Sequence, residues 1–456
     1  LVGSGIAVLY LSVFASFSFY RLVPQVVAFM MMSAVTVLAF LQAFRYDSLA
    51  VSCLGLLGGF LTPFLLSTGE ANEVGLFTYI ALLDAGIFAV LLMKDRWAIL
   101  EPLSLGATYL VYLLWYKEHY IADDLLTTAY FLIIFWALFY SLEIYRSLRS
   151  FGSYQLVRTG VAAANALFFY SALYSIIEPM HHDVMGLVTF LFGAVYFLTA
   201  LAVQRRNKDA SASFSRQILI AIALLVVATA IQFTGFKTVL WWSVEALVLV
   251  YCGLKWNFRL AWISAIAVYG FALLKLLYNP DSFSSLPVVD ASLILNQRAL
   301  TFATLAASMG ISAGWLKKQE GKPQMLFARI LDYIWPAVVF ALLTVETTGY
   351  FKSIKLVSAE ESIDGINFKQ LMSLSVIWMM YSIPLLWFGI NKKVTPWQHV
   401  ALGVAPWCCG AFCLPHGYSR VELRTGTGFP VVDEFPCADD ASCCCRNNSP
   451  SAMVAR

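Results

Sequence analysis

Apolar runs of bilayer length follow one another along nearly the whole of this 456-residue chain, and that spacing constrains its fold more than any motif does. A helix needs about 17–25 mostly apolar residues to cross the hydrocarbon layer. Divided on that length, the chain holds about fourteen spans, at about 1–20, 24–44, 49–67, 74–93, 97–116, 122–142, 159–177, 184–203, 217–234, 238–254, 258–277, 299–316, 333–350 and 370–390. A broken fifteenth run follows at about 396–413. The connections are too short to hold a soluble domain, and no internal repeat is visible. The expected fold is therefore all-α, a polytopic transmembrane helix bundle.

Composition leaves little room for another class. Hydrophobic residues make up 60% of the chain and charged residues 12%, whereas soluble domains are about one-quarter charged. A water-soluble core could not hide that much apolar surface. The net charge of +3 is too small to argue for nucleic acid. The bilayer is the expected partner, with a small-molecule or lipid-linked substrate as a second.

Basic residues in short loops mark the cytoplasmic side. Loops after even-numbered runs carry Lys94 and Arg96; Arg146, Arg149 and Arg158; Arg205, Arg206, Lys208 and Arg216; Lys255 and Arg259; Lys317, Lys318, Lys322 and Arg329; Lys392 and Lys393. Loops after odd-numbered runs carry Glu70 and Glu73; Glu118, Asp123 and Asp124; Glu178 and Asp183; Asp281 and Asp290; and Glu360, Glu361 and Asp364, a set that Lys117, Lys352 and Lys355 dilute without reversing. This alternation predicts a cytoplasmic N-terminal end. Leu1 lies inside a run with no charged leader, so the first residues read as a fragment edge.

In the third run, "GLLGGFLTPFLLSTGEANE", Gly55 and Gly59 have the four-residue spacing that lets helix backbones approach closely. Pro63 lacks an N–H, so the carbonyl of Gly59 loses its helical partner and a kink is expected. Ser67, Thr68 and Gly69 are expected to end the helix. Two readings stand, a tightly packed structural helix and a broken helix beside a binding cavity.

The stretch "LGLLGGFLTPFLLSTGE", followed by "YIALLDAG", resembles the bacterial predicted-membrane-protein family called domain of unknown function 2339. The likeness continues in "IQFTGFKTVLWWSVEALVLVYCGL", where Trp242 and Glu245 form a Trp-x-x-Glu element. It continues further in "LNQRALTF" with Asn296 and Arg298, in "LLTVET" with Glu346, and in "SVIWMMYSIPLLWFGI". It covers most of residues 50–392. The resemblance implies a many-helix protein of the bacterial cytoplasmic membrane and no established reaction.

Ionisable side chains inside the runs are the site candidates, because each costs roughly 2.5–3.5 kcal/mol at a helix centre. They are Asp84, Glu245, Lys275, Arg298 and Glu346. Topology places the last four in the outer part of four consecutive helices, and Glu245 and Arg298 are expected to line one cavity. The competing reading is snorkelling for Lys275 and Arg298 and an interfacial Glu346. Asp84 is expected to bond a neighbouring helix or to serve a site.

"EPMHHDV" offers Glu178, His181, His182 and Asp183 as metal ligands or a general base, against a reading as solvated loop residues. No Walker loop or dinucleotide fingerprint is present, so no cofactor is expected, and neither a metal site nor a catalytic residue is assigned. Residues 1–407 form the multi-span domain. Seven of the nine cysteines lie from Cys408 onward, where 408–456 reads as an atypical, aberrant or disordered tail with no regular metal spacing. The leading functional expectation is a carrier or flippase-like protein for a polar or lipid-linked envelope substrate. The alternatives are a membrane-embedded transferase of envelope building and a structural membrane scaffold.

Overall fold

The computed structural model describes residues 2–66, 73–121, 124–149, 154–207, 211–283, 296–319, 321–357 and 363–413. Among them the regular structure is entirely helical. In chain order the helices are α1 (Val2–Ser18), α2 (Gln25–Tyr46), α3 (Leu49–Leu65), α4 (Glu73–Met93), α5 (Leu100–His119), α6 (Leu125–Leu148), α7 (Gln155–Arg206) and α8 (Ser211–Gln232). There follow α9 (Phe236–Lys255), α10 (Arg259–Tyr278), the short α11 (Pro280–Phe283), α12 (Gln297–Leu316), α13 (Lys322–Val357), α14 (Ile363–Asn391) and α15 (Thr395–Cys413).

Each expected run coincides with a helix or, in α7, with half of one. Ten described helices are both long and apolar enough to cross a membrane; α1 and α3, at 17 residues each, are shorter. One of the ten is α7, which holds two expected runs. Its 52 residues are not one rod, because the backbone leaves helical geometry at His181 (φ −138°, ψ 52°), two residues after Pro179. The rings of Phe169 and Phe192 stand 4.9 Å apart, whereas a straight helix would separate them by about 35 Å. Tyr170 and Thr189 also share a 3.0 Å hydrogen bond. The chain therefore doubles back, and α7 is an antiparallel hairpin. Its tip carries Glu178, half-buried, and His182, exposed, 3.3 Å apart.

Two large apolar cores run through the bundle, beside a smaller cluster of Val13, Ala28, Met32 and Leu66. The first gathers Phe77, Trp115, Phe135, Phe169 and Tyr196 from α4 to α7. The second gathers Val239, Trp262, Tyr269, Met309 and Leu331 from α9 to α13. Helix α8 belongs to both, giving Leu224 to the first and Val226 to the second.

The glycines of α3 meet neighbouring helices at short range. A Cβ on Gly55 would sit 3.1 Å from Cβ of Ala39, and one on Gly59 would sit 3.0 Å from Leu83 and 3.2 Å from Thr36. Pro63 lies inside α3, and the carbonyl of Gly59 accepts a 2.9 Å hydrogen bond from the Tyr79 hydroxyl on α4. The lost backbone bond is thus replaced from a neighbouring helix. Ser67, Thr68 and Gly69 lie outside the described residues, as do 414–456. The boundary expected after residue 407 falls inside α15, which continues to Cys413.

Candidate functional site

Polar side chains inside the bundle fall into three places. The first is one end of α5 to α8. Glu101, in the first turn of α5, bonds Arg146 near the end of α6, and both side chains are only 3% exposed. One turn before Arg146, Glu143 faces the Arg216 guanidinium at 3.4 Å, which also donates to Oε1 of Gln155 at 2.9 Å. Arg158, one turn along α7, is buried as well. Here the sequence reading is corrected: Arg146, Arg158 and Arg216 are not loop cations. Helices α6, α7 and α8 extend past the apolar runs, and the arginines are buried in helical ends, two of them against carboxylates that balance their charge.

The second place is near the opposite end of the second core. Asn296 caps α12, its side chain accepting the N–H of Ala299 at 2.6 Å. Its amide donates to Oε2 of Glu346 at 2.7 Å, and Arg298 Nε donates to Oε1 of the same carboxylate at 2.8 Å. Gly349, one turn on from Glu346, makes room for the guanidinium, since a Cβ there would lie 2.9 Å from it.

Arg298 is therefore held by Glu346, not by Glu245. Thr301 Oγ1 reaches the carbonyl of Phe236 at 3.3 Å, which aligns the starts of α12 and α9. From that register Glu245 lies about 18 Å farther along the helix axes than Arg298, at 1.5 Å per residue. The expected shared lining of Glu245 and Arg298 is thus divided, because a nine-residue offset along α9 carries the carboxylate toward mid-membrane. Lys275 is exposed in the last turn of α10.

The third place is the interior at depth. Asp84, fully buried in α4, has Oδ2 bonded at 2.7 Å to the Thr108 hydroxyl of α5, while Oδ1 has no partner among the described residues. Glu245 stands beside Thr229 of α8, and its Oε2 is likewise buried without a partner. Two carboxylates, one in each half of the bundle, thus each keep one buried oxygen without a partner among the described residues. Asp84 is bonded by Thr108, whereas the Thr229 hydroxyl beside Glu245 donates to the carbonyl of Val226 at 2.9 Å.

Around Asp84 the polar groups continue. Tyr109, next in the chain to Thr108, donates to Asn165 at 3.0 Å. Asn165 donates to the carbonyl of Trp136, whose indole N–H bonds Tyr196 at 2.9 Å. Tyr140, its ring 4.8 Å from that of Tyr196, bonds Thr199, which donates to Gln217 at 3.1 Å. The succession ends one residue from Arg216. None of these uncharged groups was singled out from sequence, since a lone Thr, Asn or Tyr in an apolar run carries no signal of its own.

Among the described residues no group of three His, Cys, Asp or Glu side chains could hold a metal ion. The model of the family described as predicted membrane protein, DUF2339, matches residues 1–277. The chain belongs to this family. The match takes in the first core, α8, α9 with Glu245 and nearly all of α10; it begins upstream of the region whose resemblance was visible in sequence. The later motifs around Arg298, Glu346 and Trp378 lie beyond it. Neither the curated proteins nor the solved structures contain a match to the chain.

Proposed function

We propose that this membrane protein is a carrier or flippase-like protein for a polar or lipid-linked substrate, with Asp84 and Glu245 as its intramembrane contacts. The observation that carries the reading is the pair of carboxylates at depth, each with one oxygen lacking a hydrogen bond. A carboxylate in an apolar interior is expensive and is expected to be paired or functional. The ion pairs Glu101–Arg146 and Arg298–Glu346 have their charges matched. Asp84 and Glu245 instead retain an acceptor suited to a hydroxyl, an amine or a proton passing through the bundle.

The family match supports membrane residence. The cations that remain near helix ends, among them Lys94, Arg206, Lys318 and Lys392, support an N-terminal end in the cytoplasm, and the inner membrane is the placement this reading takes. The test is reconstitution of the full chain into phosphatidylcholine vesicles carrying a fluorescent polyprenyl-phosphate or phosphatidylglycerol, with dithionite reporting transfer between leaflets. The chain should speed transfer over empty vesicles, and Glu245→Gln and Asp84→Asn should slow it without changing the amount of folded protein. Transfer equal to that of empty vesicles for both probes would reject the lipid-linked form. Undiminished transfer by both variants would reject the carboxylates.

A further inference from the structure

A different part of the molecule carries an inference independent of the carrier reading. Helices α13, α14 and α15 enclose a cleft of about 390 Å³ lined by Trp335, Tyr381, Pro384, Leu385, Phe388 and Trp397, together with Met380. Its wall is braced: Tyr381 donates to the carbonyl of Pro336 at 2.6 Å, and the rings of Trp335 and Trp397 meet edge to face at 5.5 Å. A Cβ on Gly389 would lie 3.1 Å from the backbone N of Gln398, so α14 and α15 cross closely beside Trp397.

Trp397 differs from the rest of the lining. Its indole N–H is buried without an acceptor among the described residues, although a buried Trp N–H ordinarily finds one. The ammonium of Lys317 lies over its ring, 5.4 Å from the centroid. The same end of the cleft carries Lys392 and Lys393 in the turn between α14 and α15, and Lys318 and Lys322 between α12 and α13, all exposed. The carboxylate known to face this group is Asp332, which binds Lys317 at 2.6 Å and is itself buried. An apolar, aromatic cleft with a hydrogen-bond donor and a surplus of cations at one end is complementary to an amphiphile with an anionic head.

We propose that this cleft binds an acidic phospholipid. One acyl chain lies against Trp335, Tyr381, Pro384 and Phe388, an ester or phosphate oxygen accepts from the Trp397 N–H, and Lys392, Lys393 and Lys317 face the phosphate. The role of Asp332 is then to offset Lys317, which gives the proposal an arm of opposite sign.

The experiment is native mass spectrometry of the detergent-purified full chain exposed separately to dioleoyl-phosphatidylglycerol and dioleoyl-phosphatidylcholine. The wild type should retain phosphatidylglycerol in preference. Lys392→Ala and Lys393→Ala should each weaken that retention about fivefold and leave phosphatidylcholine unchanged, on the scale of one interfacial lysine. Trp397→Phe keeps an aromatic ring, though a smaller one, and removes the indole donor, so it should weaken both lipids. Asp332→Asn should strengthen phosphatidylglycerol retention. Equal retention of the two lipids by the wild type would overturn the proposal, as would lysine variants indistinguishable from it. So would a predominantly dimeric chain whose copies crosslink through cysteines placed at Met380, since a second copy would then cover the cleft. Circular dichroism of each variant checks the fold, and the two lysines are exposed, so their replacement leaves it intact.

Discussion

Replacing Tyr79 by Phe should destabilise the bundle more when Pro63 is present than when it is replaced. Pro63 has no N–H to offer the carbonyl of Gly59, and the Tyr79 hydroxyl occupies that carbonyl at 2.9 Å. Hydrogen bonds between membrane helices average about 0.6 kcal/mol and reach about 1.7. A carbonyl with no alternative donor belongs toward the upper part of that range, so Tyr79→Phe should cost about 1–1.5 kcal/mol. In a Pro63→Ala background the N–H of residue 63 returns to Gly59, and the same substitution should cost a few tenths.

The single variant alone would not decide the matter, because Thr62, Thr36 and Ser33 also lie within reach of the Tyr79 hydroxyl. Those contacts are common to both backgrounds and cancel in the double-mutant cycle. The coupling is read from reversible unfolding in mixed dodecyl maltoside and dodecyl sulfate micelles. A coupling near 1 kcal/mol supports the replacement bond. Equal costs in the two backgrounds would show that the proline and the tyrosine act separately.

Two further outcomes follow from the geometry. Glu101→Gln or Arg146→Met alone should cost about 3–5 kcal/mol in the same assay, since each leaves a buried charge without its partner, while the double variant should recover much of the loss; equal destabilisation by single and double variants would contradict a mutually compensating pair. Reporter fusions after Arg206 and Lys318 should behave as cytoplasmic and a fusion at Asp183 as external, and inverted signals at two of the three sites would reverse the proposed orientation.

The helices were legible because hydrophobicity sustained over about twenty residues has few other outcomes. Their ends were not. Arg146, Arg158 and Arg216 stand just outside apolar runs, where hydropathy assigns them to loops, yet the backbone hydrogen bonds of α6, α7 and α8 continue through them. A signal was nevertheless present: Glu143 and Arg146 close one run three residues apart, and Glu101 opens another. Opposite charges at helix ends that share a side of the membrane are candidates for burial as pairs. The partner of Arg298 was hidden for a different reason. Glu245 and Glu346 were equally plausible on charge, and only the register of α9, α12 and α13 places Glu346 at the guanidinium. The carbonyl freed by Pro63 was foreseeable from local chemistry, whereas Tyr79 as its donor depends on how α4 lies against α3.

The contrast between matched and unmatched carboxylates bears on the choice between carrier and scaffold. A scaffold gains specificity from buried polar groups when their charges are matched, as those of Glu101 with Arg146 and Glu346 with Arg298 are. A carboxylate with one oxygen unused adds desolvation cost without adding a contact. Asparagine at position 84 would keep an acceptor for Thr108 and carry no charge, and glutamine at 245 could serve beside Thr229, so holding the helices together does not require acids there. The acid is required when the group must change charge or bind a partner that comes and goes. Thr229 stands on α8, the helix common to both cores, so a shift of one core against the other would change the surroundings of Glu245. Under the proposed carrier role, that coupling gives Glu245, beside the helix shared by the cores, the part that moves, while Asp84 lies inside the first core and the matched pairs lie at the helix ends.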